Sequence, residues 1–400
     1  MKITKLESLR LESRPSLLWV RVHTDEGLSG LGETFFSSGA VEADLHERIA
    51  PLILGEDPAA VAYLNRKMHP YVGFAGTGAE VRALSAVDVA LWDLAGQAAG
   101  RPIHALLGGP VRAALPVYNT CAGPDYVSKT SDVRPHNFGL PGGQESRSYE
   151  DLDAFLNRPA ELAAELLESG IESMKIWPFD FAAGAAEGLD ISAADLARAL
   201  GPFEKIRAAL GDRMRIKAEL HGLWSLPAAK KIAAALEPLE MDWIEDPVWM
   251  DRPAEIAELS ASTRAPVAGG ETLGGLGAFE DLIGRRALSV PIVDVTWGGG
   301  ITFARKVAAL AEAAGLPIAF HDCSGPVTLA ASVQLALACA NVREQEIARG
   351  FYYGWYHHYV DQPPPLEKGF IRAPEGTGLG LSLLDEVAKA SDAVVRVSAT

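Results

Sequence analysis

Three cysteines in 400 residues, Cys121, Cys323 and Cys339, are too few for a disulfide framework and lack the spacing of metal ligands. Basic residues are also scarce: 36 Lys and Arg stand against 52 Asp and Glu, a formal charge of −16 at pH 7. That balance argues against nucleic acid as a partner, because phosphates demand clustered Lys and Arg, and it disfavours an anionic membrane. No apolar run spans a bilayer comfortably. The most apolar long segment, VTLAASVQLALACANV, is interrupted by Thr, Ser and Gln and reads as a buried helix. The start, MKITKLESLRLES, alternates like a strand and has no apolar signal-peptide core, so a cytoplasmic location is expected. Nor is there a complete G-x-G-x-x-G, which argues against a dinucleotide oxidoreductase. A small anionic substrate stays compatible with the charge, because a bound cation inverts the local field.

What is present is the composition of a folded protein, long enough for one α/β barrel or two to three smaller units. The first part reads as α+β. LLWVRVHTDEGLSGLGET gives two strands around Asp25-Glu26-Gly27, and ALSAVDVALWDLAGQAAG gives a helix stopped by Gly100. From about residue 115 the rhythm changes. ALPVYNT is a first strand, and the polar, Gly/Pro-rich segment 122–149 reads as a long loop over something functional. Strands then alternate with helices: ESMKIW, RMRIKAEL, MDWIE, PVAGGE, VPIVDVT, LPIAFH and VREQE, separated by patterns such as ITFARKVAALAEAAG. Eight such units predict an α/β fold, a (β/α)8 TIM-like barrel over residues 115–365. An α+β domain, 1–114, precedes it, and the segment 366–400 breaks the rhythm and is expected to pack back on that domain.

Chemistry in such a barrel gathers where strands end. Glu219, Glu245 and Glu271 close three successive strands at intervals of 26 residues, aiming three carboxylates at one mouth. Carboxylates so close repel one another unless a cation holds them, and an all-oxygen set favours Mg²⁺, with Mn²⁺ possible. Asp294 and His321 end two later strands, so the carboxylate is placed to fix the imidazole as a general base. Lys175 ends an earlier strand, where it would hold a substrate carboxylate or stabilise developing charge. Trp177 shares its face. On the last strand VREQE offers Glu344 and Glu346, of which Glu344 is preferred.

These residues resemble the enolase superfamily, in its mandelate racemase/muconate lactonizing branch, over nearly the whole chain. GLGET resembles the family's capping domain, ALSAVDVALWDLAGQAAGRPIHALLGG its approach to the barrel, and GLGL the return to the cap. The resemblance implies a modified (β/α)7β barrel and abstraction of the proton α to a carboxylate, with a metal stabilising the enolate. The motif pattern is most like that of the galactonate, gluconate and mannonate dehydratases, in which a strand-end acid-x-His supplies the general acid. Glu219-x-His221 fits it, and His221 would protonate the departing β-hydroxyl.

Two departures bear on the reaction. Many racemases and some dehydratases of this branch carry Lys-x-Lys where this chain has Lys175-Ile-Trp177, and an indole accepts no proton; one-face abstraction by His321 is therefore expected. The metal set is Glu-Glu-Glu where Asp often stands first. Aromatics crowd the expected mouth: Trp177, Trp224, Trp297 and Trp355 in FYYGWYHHY, where His357 or His358 would reach hydroxyls, and TFFSSGA resembles the loop that closes over substrate. The expectation is a Mg²⁺-dependent acid-sugar dehydratase, a homo-oligomer taking a small carboxylate substrate. A cycloisomerase or epimerase using the same enolate, or a non-catalytic acid-binding protein, are the alternatives.

Overall fold

The computed structural model describes residues 1–70, 78–129, 134–140, 148–184 and 186–400. The expected loop 122–149 is described except for 130–133 and 141–147, which lie outside those residues. Alternating apolar residues build an antiparallel meander, β1 (Ile3–Leu11), β2 (Arg14–Thr24) and β3 (Ser29–Phe35). The helix Ala79–Ala99 covers one face of it, so that Leu84, Val87 and Leu91 join Leu18, Val20 and Val22 in one core. Gly30 and Gly32 permit that approach: a Cβ at either would run into the carbonyls of Ala90 and Ala86. The helix stops at Gly100, whose φ of 62° is left-handed, as expected of a C-terminal glycine.

Eight parallel strands follow: β4 (Leu115–Thr120), β5 (Ser173–Ile176), β6 (Arg215–Glu219), β7 (Trp243–Glu245), β8 (Val267–Gly269), β9 (Val290–Val293), β10 (Ile318–Phe320) and β11 (Val342–Ile347). Each bonds to the next, and β11 pairs with β4 through Gln345↔Val117 and Ile347↔Asn119, closing the barrel. All eight coincide with the strands read from the sequence; most are apolar runs, as burial on both faces favours, while β11 carries Arg343, Glu344, Gln345 and Glu346. VTLAASVQLA lies in the helix Pro326–Ala336, and each residue of that helix is buried. Among the described residues no helix is long and apolar enough to cross a membrane.

The chain then returns to both units. β12 (Leu366–Glu367) and β13 (Phe370–Ile371) form a hairpin that pairs with β4, and β14 (Ala393–Ala399) runs antiparallel to β1. The N-terminal sheet therefore has the order β14-β1-β2-β3.

Two buried carboxylates of the N-terminal unit fasten it to the barrel. Glu33 accepts hydrogen bonds from the Thr328 amide (2.9 Å) and hydroxyl (2.8 Å) at the start of Pro326–Ala336, and from Trp19 Nε1 (2.8 Å). Asp88 accepts from the Thr302 amide (3.0 Å) at the start of the helix Gly300–Ala313 and from Asn65 (2.8 Å). Each carboxyl group accepts from amides at the otherwise unpaired start of a barrel helix. This docking also sets the loop after β3: Thr34 Oγ1 donates to the Thr296 carbonyl (3.0 Å), and Phe36 packs 5.5 Å from the Trp297 ring.

Candidate active site

Glu219 and Glu245 are the last residues of β6 and β7, and Glu271 lies two beyond β8. One oxygen from each falls within 4.8 Å of the others, and all three residues are buried. Lys175, on β5, reaches into the group: its Nζ lies 2.5 Å from Glu245, 3.0 Å from Glu346, 3.2 Å from Glu219 and 4.0 Å from Glu271. Burial opposes the Lys175 charge, but these carboxylates outweigh it and hold the pKa well above the usual lysine range. Burial pushes Glu245 up to about 8, with Lys175 opposing and Glu219 and Glu346 adding to the rise. Four buried carboxylates thus share one ammonium, and among the described residues Glu219 Oε2 accepts no hydrogen bond. The glutamates from β6, β7 and β8 fit a hard divalent cation, whose charge would remove their mutual repulsion.

Two His–Asp pairs flank this centre. Following β10, His321 Nδ1 bonds Asp294 Oδ2 at 2.6 Å, and Asp294 is held in turn by the Thr296 amide (2.7 Å), the Thr296 hydroxyl (2.9 Å) and the Trp297 amide (2.9 Å). His321 Nε2 is left 3.5 Å from Glu271. Following β6, the His221 amide donates to Glu219 Oε1 (2.7 Å) and Nδ1 bonds Asp180 Oδ2 (2.7 Å). Strands β6 and β10 stand four apart in the ring of eight, so the imidazoles come from opposite walls. Burial alone would lower both imidazoles. Asp180 and Glu219 raise His221 to about 10, and Glu271 and Glu346 do the same for His321.

A cavity of about 670 Å³ opens over these groups. Lys175, Trp177, His221, Glu271, Trp297 and His321 line it, as the sequence reading expected, and Phe36 of the TFFSSGA loop joins them. Phe36 and Ser37 hold positive φ (68° and 53°), a strained turn at the cavity rim. From the loop after β4, Tyr126, Arg134 and Phe138 also line it.

Several expected residues lie elsewhere. Glu344 is at the opposite end of the barrel, bonded to Lys217 (3.0 Å) and Arg215 (3.0 Å), with Lys217 seated over the Tyr118 and Trp243 rings. Glu346, two residues on, is the one that meets Lys175 and lines the cavity. Both side chains point inward, since i and i+2 share a face, but they occupy different layers. Trp355 is also outside the large cavity; it packs on Phe351, Tyr356 and Tyr359 beneath Arg14. Trp224 is buried, and neither it nor His357 or His358 lines the cavity.

Asp180 and Arg82 are among the lining residues that the sequence did not single out. Asp180 sits in WPFD just beyond β5, and that acidic residue next to a strand end was its only signal. Arg82 comes from the N-terminal unit and lies over the Trp297 ring, 4.5 Å from its centre, while donating to the Phe35 carbonyl (2.6 Å). Nothing in the periodicity of its helix marks it.

Known proteins share this architecture. The profile described as "Enolase C-terminal domain-like" matches residues 158–387, and "Mandelate racemase / muconate lactonizing enzyme, N-terminal domain" matches 8–108. D-galactonate dehydratase of Variovorax paradoxus is 31% identical over 398 residues, covering 96% of this chain and 93% of its own. The enzyme of that name from Ralstonia nicotianae is 30% identical over 393 residues, covering 96% and 92%. Among solved structures, an enolase of the mandelate racemase subgroup from Agrobacterium tumefaciens is 43% identical, with a TM-score of 0.88 and coverage of 100% and 99%. An enolase from Sargasso Sea environmental DNA is 42% identical, with a TM-score of 0.88 and the same coverage.

Proposed function

The chain belongs to the enolase superfamily, in its mandelate racemase/muconate lactonizing branch, and from that premise we propose that it dehydrates an aldonate-type sugar acid to the 2-keto-3-deoxy acid. Glu219, Glu245 and Glu271 would hold a divalent cation, Mg²⁺ first. Bound there, it supplies Lewis-acid stabilisation of the charge that develops on the substrate carboxylate. Lys175 adds a fixed positive charge at the same end of the substrate.

His321 Nε2 takes the α-proton, and the C–H electron pair enters the carbon–carbon bond of the enol form. His221 Nε2 gives a proton to the β-hydroxyl, the C–O bond breaks, and water departs. The enol product then tautomerises to the 2-keto acid. Trp177 offers no base on the β5 wall, which favours this route over two-base racemisation. The observation that carries the reading is the placement of two carboxylate-held imidazoles on opposite walls, with the acidic triad between them.

The test is purified protein with Mg²⁺ against a sugar-acid library, D-galactonate first because the relatives bear that name. Formation of a semicarbazide-reactive 2-keto acid is expected. Exchange of the α-proton with solvent deuterium but no keto acid would point to an epimerase or cycloisomerase. No exchange with any acid would leave a binding protein.

A further inference from the structure

The acid and the base are held alike. His321 is gripped through Nδ1 by an aspartate just past the strand one place earlier in the barrel, Asp294 beyond β9. His221 is gripped through Nδ1 by Asp180, which lies just past β5, again one strand earlier. We infer that Asp180 is the positioning residue of the general acid, turning Nε2 of His221 toward the substrate. The inference rests on the dehydratase reading.

The surroundings of Asp180 support a dedicated role. It is 1% exposed, and its second oxygen, Oδ1, is buried without a hydrogen-bond partner among the described residues. A buried carboxylate with one hydrogen bond is a poor structural contact. The partner it does have is the imidazole that lines the cavity. Its segment is anchored: the Asp180 amide bonds the Trp177 carbonyl (3.3 Å), and Phe179 is buried and stacked on Phe203, 5.8 Å between ring centres. His221 is constrained from three sides, by Asp180 at Nδ1, by the edge of the Trp177 ring at 5.8 Å, and by its amide bond to Glu219. Its backbone φ of 47°, unusual for a non-glycine residue, is the strain that this arrangement maintains. With Nδ1 occupied, Nε2 is the nitrogen left for the hydroxyl.

The experiment compares wild type, Asp180→Ala and Asp180→Asn, each saturated with Mg²⁺, on the sugar acid that wild type dehydrates. Asp180→Ala is expected to lose about 10²-fold in dehydration, within the range for acid–base assistance. α-Proton exchange into recovered substrate should continue, so the ratio of exchange to dehydration rises at least ~10-fold. Asp180→Asn, whose amide oxygen still accepts from Nδ1, should recover about 10-fold of that loss. On an analogue whose β-leaving group is fluoride, which departs without a proton, both variants should stay within about 3-fold of wild type. Undiminished dehydration in Asp180→Ala overturns the inference, and so does a parallel fall of exchange and dehydration in both variants. Failure of wild type to form keto acid from any sugar acid overturns the dehydratase reading itself, and the inference with it.

Discussion

Replacing Lys175 with Met tests the electrostatics on which the centre depends without requiring any knowledge of the substrate. The ammonium lies 2.5, 3.0 and 3.2 Å from Glu245, Glu346 and Glu219, all essentially shielded from water. Removing it leaves four buried carboxylates with no opposing ammonium, and losing one partner of a buried ion pair costs about 3–5 kcal/mol. Proton uptake limits the loss, since burial raises Glu245 to about 8 even with Lys175 opposing the rise. At ~2.1 cal/mol/K per residue the unfolding entropy of a chain this long is about 0.8 kcal/mol/K, so Tm without metal should fall by about 4–6 °C. Mg²⁺ at 100 times its Kd stabilises wild type by about 2.7 kcal/mol, roughly 3 °C. The variant should gain more, about 6 °C, because the dication then meets the carboxylates without a competing ammonium. Differential scanning fluorimetry with EDTA and with Mg²⁺ reads both numbers. Identical melting of the two proteins in EDTA, or equal shifts with Mg²⁺, would refute this account of the cluster.

Other consequences can be measured in the same preparations. His321→Asn should abolish α-proton exchange and cut turnover by about 10²–10⁴-fold while keeping the Mg²⁺-induced rise in Tm; turnover near wild type would remove His321 as the base. Glu346→Gln should impair turnover, whereas Glu344→Gln should lower Tm with kcat/KM nearly unchanged, since Glu344 bonds Lys217 and Arg215 at the far end of the barrel; the opposite pattern would restore Glu344 to the site. Burial raises the Asp88 pKa from 3.8 to about 6 against its hydrogen bonds from Thr302 and Asn65, so its contribution to stability is present below pH 4 and is lost as pH rises through 6. That loss is about 3 kcal/mol; Asp88→Asn should therefore gain by that amount relative to wild type between pH 4 and pH 7 in urea titrations, and a constant difference would contradict the shift.

The barrel was legible because its signals are local. A strand buried on both faces tends to be an apolar run, and a carboxylate at its end either meets water or faces the mouth, so Glu219, Glu245 and Glu271 could be read from spacing alone. The helix stop at Gly100 and the close packing of GLGET on that helix follow from equally local constraints. Glu344 and Glu346 could not be separated in this way. Alternation assigns both to the inner face, while the stagger of eight hydrogen-bonded strands decides which layer each occupies, and β11 takes its register by pairing with both β10 and β4.

Asp180, Arg82 and Trp355 depended on tertiary structure altogether. Asp180 meets His221 across 41 residues because their strands are neighbours in the barrel. Arg82 enters the cavity because Glu33 and Asp88 dock a separate unit on two helix ends. Trp355, one aromatic among several in its segment, turns away toward Arg14. Sequence by itself determined which residues end strands and what charge they carry. Folding decided which of them meet, because side-chain chemistry is carried along the chain, whereas proximity arises only when the strands close into a ring.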